Sequence, residues 1–352
     1  MYRAFLTTVL SAVLLSLAPG VQAQIQPENI CPSPMQKLDE KGFVQIGGIP
    51  QWVTIKGDRC DNPIVLIVHG GPGNPMSPFS DAIYGGWETD YTVVQWDQRG
   101  AGMTWGKNRP SEDTPLTIAQ MRDDGIEVAR YLTQRVGKRK VILVGGSWSS
   151  ILAIHMIKAE PELFAAYLGS AQMVSYRDNP AATYAFLLDR ARVSDDQDSL
   201  TKLEKIGPPP WSDPRSFGIL RRIDRKYEAQ ATDPAPADWW QPAADYATPQ
   251  AQDDYTAGED YSYIQFVGWK GDGMFSKVDL PALGTEFKVP IFLLQGEADY
   301  LTLPDISRRY FDSLTAPQKA FVILPRTGHD PNALLVDAQL KLLNESIRPL
   351  AQ

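Results

Sequence analysis

Short apolar runs of strand length recur along the chain, separated by longer stretches whose apolar positions return every three or four residues. Ile64–Val68 and Thr92–Trp96 read as strands buried on both faces. Val141–Val144, Ala165–Leu168, Pro290–Leu294 and Ala320–Leu324 read as further strands. Phe43–Ile46 and Gln51–Ile55 flank Gly47-Gly48 and predict an opening hairpin. Between the runs, Thr117 to Val136 places Ile118, Met121, Val128, Ala129, Leu132 and Val136 largely on one helical face. Thr117 and Gln120 have capping-box spacing there, and Gly137 stops the helix. Helices are also predicted over Ser149–Ala159, which Pro161 follows, and over Ala333–Ile347. Strands alternating with helices predict an α/β fold with a mostly parallel central sheet flanked by helices.

From about residue 170 to residue 285 the texture changes. Prolines cluster at Pro208-Pro209-Pro210, Pro234, Pro236 and Pro242, aromatics and acids accumulate, and no run of buried-strand type appears. The stretch predicts a mainly helical insertion with long loops, a cap set between a first core segment, 24–169, and a second, 286–352.

The first 23 residues read as a leader rather than as part of the fold. Arg3 precedes the apolar run Ala4–Ala18, Pro19-Gly20 break it, and Val21-Gln22-Ala23 has the small-x-small pattern of a cleavage site. The run falls short of the ~20 residues a membrane span needs. Cleavage after Ala23 predicts a periplasmic or secreted chain beginning at Gln24, with no membrane association thereafter. In an oxidising compartment the only two cysteines, Cys31 and Cys60, are expected to form a disulfide. A formal net charge of -8 argues against nucleic acid or an anionic membrane as partner. The short basic cluster Arg135, Lys138, Arg139 and Lys140 falls at a helix end, where it complements the helix dipole.

Candidate chemistry sits at the ends of the strands. Val141–Val144 runs into Gly145-Gly146-Ser147-Trp148-Ser149 and then a helix. A strand, a tight turn with small residues two before and two after a serine, and a helix together make a nucleophile elbow around Ser147. A serine hydroxyl needs a base. The chain has 3 histidines. His155 lies well inside the helix and points away, His69 belongs to a glycine-rich turn, and His329 follows the last strand, so His329 is the candidate base. The acid must follow the nucleophile and precede the histidine. Asp299, in Gln295-Gly296-Glu297-Ala298-Asp299 after a strand, is the choice; Glu297 is the alternative, and Asp305 lies too far into the next segment. Donors for an oxyanion are expected from the N–H of Trp148 and from Gly71 in His69-Gly70-Gly71-Pro72-Gly73.

Three motifs in this order, His69–Gly73, Trp96-Asp97-Gln98-Arg99-Gly100-Ala101-Gly102 and Gly145-Gly146-Ser147-Trp148, resemble the prolyl aminopeptidase (proline iminopeptidase) family of α/β-hydrolases. The resemblance covers about residues 40–170 and 286–335. It implies the α/β-hydrolase fold, a helical cap between the sixth and seventh strands, and a Ser147–Asp299–His329 triad that needs no metal or cofactor. It also implies that the Asp97–Gly102 turn shapes the floor of the site.

Two departures bear on substrate. The family holds a peptide's free amine with cap glutamates, one in a tryptophan–glutamate element, whereas the comparable stretch here is Trp239-Trp240-Gln241. Ser149 also stands where the family has glycine. Glu259 and Asp260, expected in a loop, are the candidates for a negative subsite, with Trp239 and Trp240 as further substrate-binding candidates. The expected substrate is a small peptide, with release of an N-terminal residue such as proline, or else a small apolar ester or amide. A non-catalytic binding role is disfavoured by the presence of all three triad members.

Overall fold

A computed structural model of the chain describes residues 29–111, 114–138 and 140–351. The predicted leader and its cleavage site lie outside the described residues. Strands β1 (Leu38–Ile46) and β2 (Ile49–Gly57) form the opening hairpin, turned by Gly47 and Gly48 with φ of 55° and 79°. Then come β3 (Ile64–Val68), β4 (Thr92–Asp97), β5 (Val141–Ser147), β6 (Phe164–Gln172), β7 (Ile291–Gly296) and β8 (Lys319–Leu324). They form one 8-stranded sheet in the order β1-β2-β4-β3-β5-β6-β7-β8. β1 with β2 and β2 with β4 are antiparallel, and the remaining pairs are parallel.

Both faces of the parallel part are covered. On β3, Ile64, Leu66 and Val68 point into one apolar cluster with Met121, Leu132 and Ile151; Val65 and Ile67 point into another with Ile142, Phe292 and Leu343. Such strands read as unbroken apolar runs because each face is buried in turn. The helix Ile118–Val136 starts where the sequence predicts: the Thr117 hydroxyl accepts the Gln120 N–H at 3.1 Å, and Gly137 ends it at φ 71°. Cys31 and Cys60 are joined, Cα atoms 5.5 Å apart.

β6 continues to Gln172, a few residues past the expected end of the first core segment. Helices Asp178–Val193, Gln197–Ile206, Pro214–Ala231 and Pro249–Val267 then form the insertion, with a small apolar centre of Leu187, Leu203, Leu220, Ile223 and Tyr227. Several of its prolines open helices: Asp213 and Thr248 are N-caps, and Pro214 and Pro249 occupy the first helical position. Glu259 and Asp260, expected in a loop, are part of the helix Pro249–Val267. Its buried positions, Asp254, Gly258, Tyr261, Ser262, Phe266 and Val267, mix polar, small and apolar residues, so no continuous apolar stripe announces it. Gly258 lets that helix approach the Gly100 carbonyl: a Cβ there would sit 3.0 Å from the oxygen.

Candidate active site

β5 delivers Ser147 to the sheet's carboxyl edge at φ 56° and ψ −127°, a conformation L-residues rarely adopt. The turn tolerates little bulk. A Cβ on Gly146 would lie 2.5 Å from Ser170 Oγ, and one on Gly145 3.0 Å from Ser149 Oγ. Ser149 compensates for not being glycine by closing the turn. Its hydroxyl accepts the Gly146 N–H at 2.7 Å and donates to the Gly146 carbonyl at 2.8 Å.

Ser147 Oγ lies 2.9 Å from His329 Nε2. On the far side of the ring, Nδ1 lies 3.1 and 3.2 Å from the two oxygens of Asp299. A carboxylate only accepts, so Nδ1 carries the proton and Nε2 is left to take one from the serine. Asp299 is itself held by the N–H groups of Leu301 (3.1 Å) and Thr302 (2.7 Å), the Gln295 amide (3.0 Å) and the Thr302 hydroxyl. Burial raises the cost of its charge, but the imidazole and these donors outweigh that and keep its pKa below the ordinary carboxylate value. Burial likewise opposes charge on His329, yet the Asp299 carboxylate wins and its pKa stands above the ordinary histidine value. Glu297 is exposed, beside Tyr300 and Arg308 in a separate surface cavity of about 490 Å³. Asp305 is exposed in the first turn of the helix Pro304–Ser313.

The other flank of Ser147 is built from neutral groups. Trp148 is the first residue of the helix Trp148–Ala159, so its N–H has no partner within the helix. The His69–Gly73 turn lies against the elbow: a Cβ on Gly70 would come 3.2 Å from the Gly146 carbonyl and 3.5 Å from Ser147 Cβ. Gly71 has φ 105°, which a side chain would strain. Gln98 joins the two segments. Its amide donates to the His69 carbonyl at 2.7 Å and accepts the Trp148 indole N–H at 3.0 Å. His69 Nε2 accepts the Gln98 N–H at 3.1 Å, so its Nδ1 proton goes to the Gly70 carbonyl at 2.9 Å. Burial pushes the His69 pKa down to about 4, and the ring stays neutral. Neighbouring motif residues do structural work: Asp97 accepts the Met103 N–H at 2.9 Å, and Arg99 grips Asp124 at 2.8 and 3.0 Å and the Gly47 carbonyl at 2.7 Å. His155 is half-buried in its helix, with a pKa lowered by burial and by Arg122.

The cap candidates divide. Glu259 is half-buried, and its backbone touches the glycine turn: a Cβ on Gly73 would lie 2.9 Å from Glu259 Cα. Asp260, one position on, is exposed. Trp239 is buried in the apolar cluster that holds Ile83, Leu335 and Val336, where it fills core. Trp240 is exposed, its ring edge-on to Phe79 with centroids 5.5 Å apart. The sequence reading missed Glu228, on the helix Pro214–Ala231. Its Oε1 accepts the N–H groups of His329 at 3.2 Å and Tyr300 at 3.0 Å. A signal was there: Leu220, Ile223 and Tyr227 set the inward stripe, and Asp224 and Glu228 fall on it. Among the described residues no group of three or more His, Cys, Asp or Glu is arranged to hold a metal ion.

Fold and site together define a hydrolase-type α/β architecture, and residues 65–339 match the model of the alpha/beta hydrolase family. The chain belongs to that family. It is 28% identical to the probable aminopeptidase YbaC of Bacillus subtilis over 303 residues, 82% of this chain and 90% of that protein. It is 24% identical to the proline iminopeptidase of Lactobacillus helveticus over 159 residues, 44% of this chain and 52% of that protein. Among solved structures, VinJ superposes with a TM-score of 0.62 at 20% identity, covering 88% of this chain and 99% of VinJ. The Mycobacterium smegmatis proline iminopeptidase superposes with a TM-score of 0.56 at 17% identity, covering 89% and 95%. These two structures speak to the fold alone.

Proposed function

We propose that this chain is a serine hydrolase that releases an N-terminal residue from short peptides through an acyl-enzyme. The observation that carries the reading is the relay from Asp299 through His329 to Ser147, with Nε2 2.9 Å from Oγ. His329 takes the hydroxyl proton as Oγ attacks the carbonyl carbon, and the N–H of Trp148, with that of Gly71, meets the oxyanion. The imidazolium then gives its proton to the leaving amine as the C–N bond breaks. Water, deprotonated by the same ring, hydrolyses the ester and restores the serine. Glu259 supplies the negative group for the substrate's free amine; it lies half-buried against the glycine turn, and among the described residues no ion pair engages it. Likeness to a probable aminopeptidase over most of both chains supports the choice of substrate.

A carboxylesterase reading is favoured by one observation: Trp239-Trp240-Gln241 has no acid and Trp239 is buried in core. The test is a comparison of rates on a prolyl-arylamide and a short-chain p-nitrophenyl ester. Arylamide turnover is expected, and Glu259→Gln should raise its KM about ten- to a hundredfold, the worth of a charged hydrogen bond, while sparing the ester. Ester turnover without arylamide cleavage would overturn the aminopeptidase reading. The same proposal places the mature enzyme in the periplasm or medium; Edman sequencing of the exported protein should begin at Gln24.

A further inference from the structure

The buried acids of the helix Pro214–Ala231 have no part in the chemistry above. Glu228 is 5% exposed, and its Oε1 receives both the His329 and the Tyr300 N–H. His329 bears the relay's imidazole, and Tyr300 directly follows Asp299. One carboxyl from the cap thus grips the two core loops that carry base and acid. Gly328 leaves it room: a Cβ there would come 3.2 Å from Glu228 Cδ and Oε2. The other oxygen faces Arg221 at 3.5 Å. Arg221 is bound in turn to Asp224 and, at 2.9 Å, to Asp330, whose second oxygen lies 3.3 Å from Arg225.

Such a group is costly to bury. Burial, with Asp224 and Asp299 nearby, pushes the Glu228 carboxyl up to about 8. Well-packed apolar side chains serve stability as well as or better than a buried charged cluster. What an apolar residue could not do is accept two backbone N–H groups from separate loops. From this geometry we infer that Glu228 is a positioning residue: it holds the His329 and Asp299 loops at the spacing the relay needs. The relay's geometry then depends on the seating of the cap helix. This rests on the serine-hydrolase reading above.

The test separates reach from carboxyl chemistry with two conservative variants, each checked first by a thermal melt. Glu228→Gln keeps an acceptor at the same reach and should retain kcat within about threefold. Glu228→Asp keeps a carboxyl but withdraws the oxygen. It should lose at least about tenfold in kcat on arylamide and ester alike with KM unchanged, since misplacement near 1 Å costs up to about 10²-fold. Gly328→Ala presses the carboxyl aside from the opposite wall and should reproduce the aspartate result, which keeps the test alive if the aspartate variant does not fold. Wild-type kcat in the aspartate variant, or in Gly328→Ala when only that variant folds, would overturn the proposal. A loss in Glu228→Gln equal to that in Glu228→Asp would overturn it as well. A raised KM confined to the arylamide would instead make Glu228 a substrate anchor. Failure of the wild type to label with a fluorophosphonate would remove the serine-hydrolase reading itself; labelling lost only in Ser147→Ala upholds that reading whatever the Glu228 variants do.

Discussion

On the flank of Ser147 toward the hairpin, the groups that hold the site are neutral: the His69 ring, the Gln98 amide and the Trp148 indole, bonded at 2.7 to 3.1 Å. On the flank toward the cap they are ionisable: Asp299, Glu228, Asp224 and Asp330 around His329 and Arg221. The two flanks face different demands. An oxyanion hole works by donors that are already aimed and need not move, so fixed dipoles suffice. The base must accept a proton and release it in every turnover, and a buried imidazolium is affordable only beside negative groups. The Asp299 carboxylate meets that demand, and Arg221 opposes it.

The comparison is broken most forcefully at Asp299. Asp299→Asn should lower kcat by about 10⁴. It should also move the acid limb of the kcat/KM profile. In the wild type the neutral imidazole is the active form and its pKa is raised, so activity should climb with pH through a value above the ordinary 6.5. Without the carboxylate, burial and Arg221 both act to lower that pKa, and the limb should shift to lower pH. A limb that stays put would mean that Asp299 does not set the base.

A smaller effect is expected from Gln98→Leu, which cuts the tie between the glycine turn and the elbow. Loss of alignment of one oxyanion donor should cost about ten- to a hundredfold in kcat, less than deleting a donor outright. No titrating group is touched, since His69 is already neutral down to about pH 4. The acid limb should therefore match the wild type. A shifted limb would show that the neutral and ionisable networks communicate.

The same contrast governs what could be read from sequence. The neutral flank was legible because its parts lie inside compact motifs after strands, and a glycine turn or an elbow is a local backbone requirement. Asp299 and His329 were legible because strand ends limit the choice. The rest of that flank was not. The inward stripe of the helix Pro214–Ala231 marks Glu228 as buried but not what it binds, since the loops it grips lie some seventy to a hundred positions away. Trp239 was mistaken for a site residue because an aromatic pair looks the same in a core as at a pocket. Glu259 was expected in a loop because its helix buries Gly258 and Ser262 rather than leucines.

The mildest test uses the disulfide, which lies outside both networks. Cys31–Cys60 ties the segment before β1 to the connection between β2 and β3, closing a loop with a sequence separation of 29. Ile30, next to it, donates its N–H to the Arg135 carbonyl at 2.9 Å, at the end of the helix that carries Asp124. Through Asp124 and Arg99 that helix reaches the hairpin turn and the second motif, and so the neutral flank. The double variant Cys31→Ser/Cys60→Ser should lose about 3–4 kcal/mol of stability by the chain-entropy estimate, read as a lower melting temperature. At a temperature where it is folded, kcat should stay near wild type and the acid limb should not move. Any loss of rate should resemble Gln98→Leu in kind, a fall in kcat at an unchanged limb, because these contacts lead to the neutral flank. A displaced limb would mean that slackening the hairpin disturbs the ionisable flank, and that the two sides of Ser147 are one network.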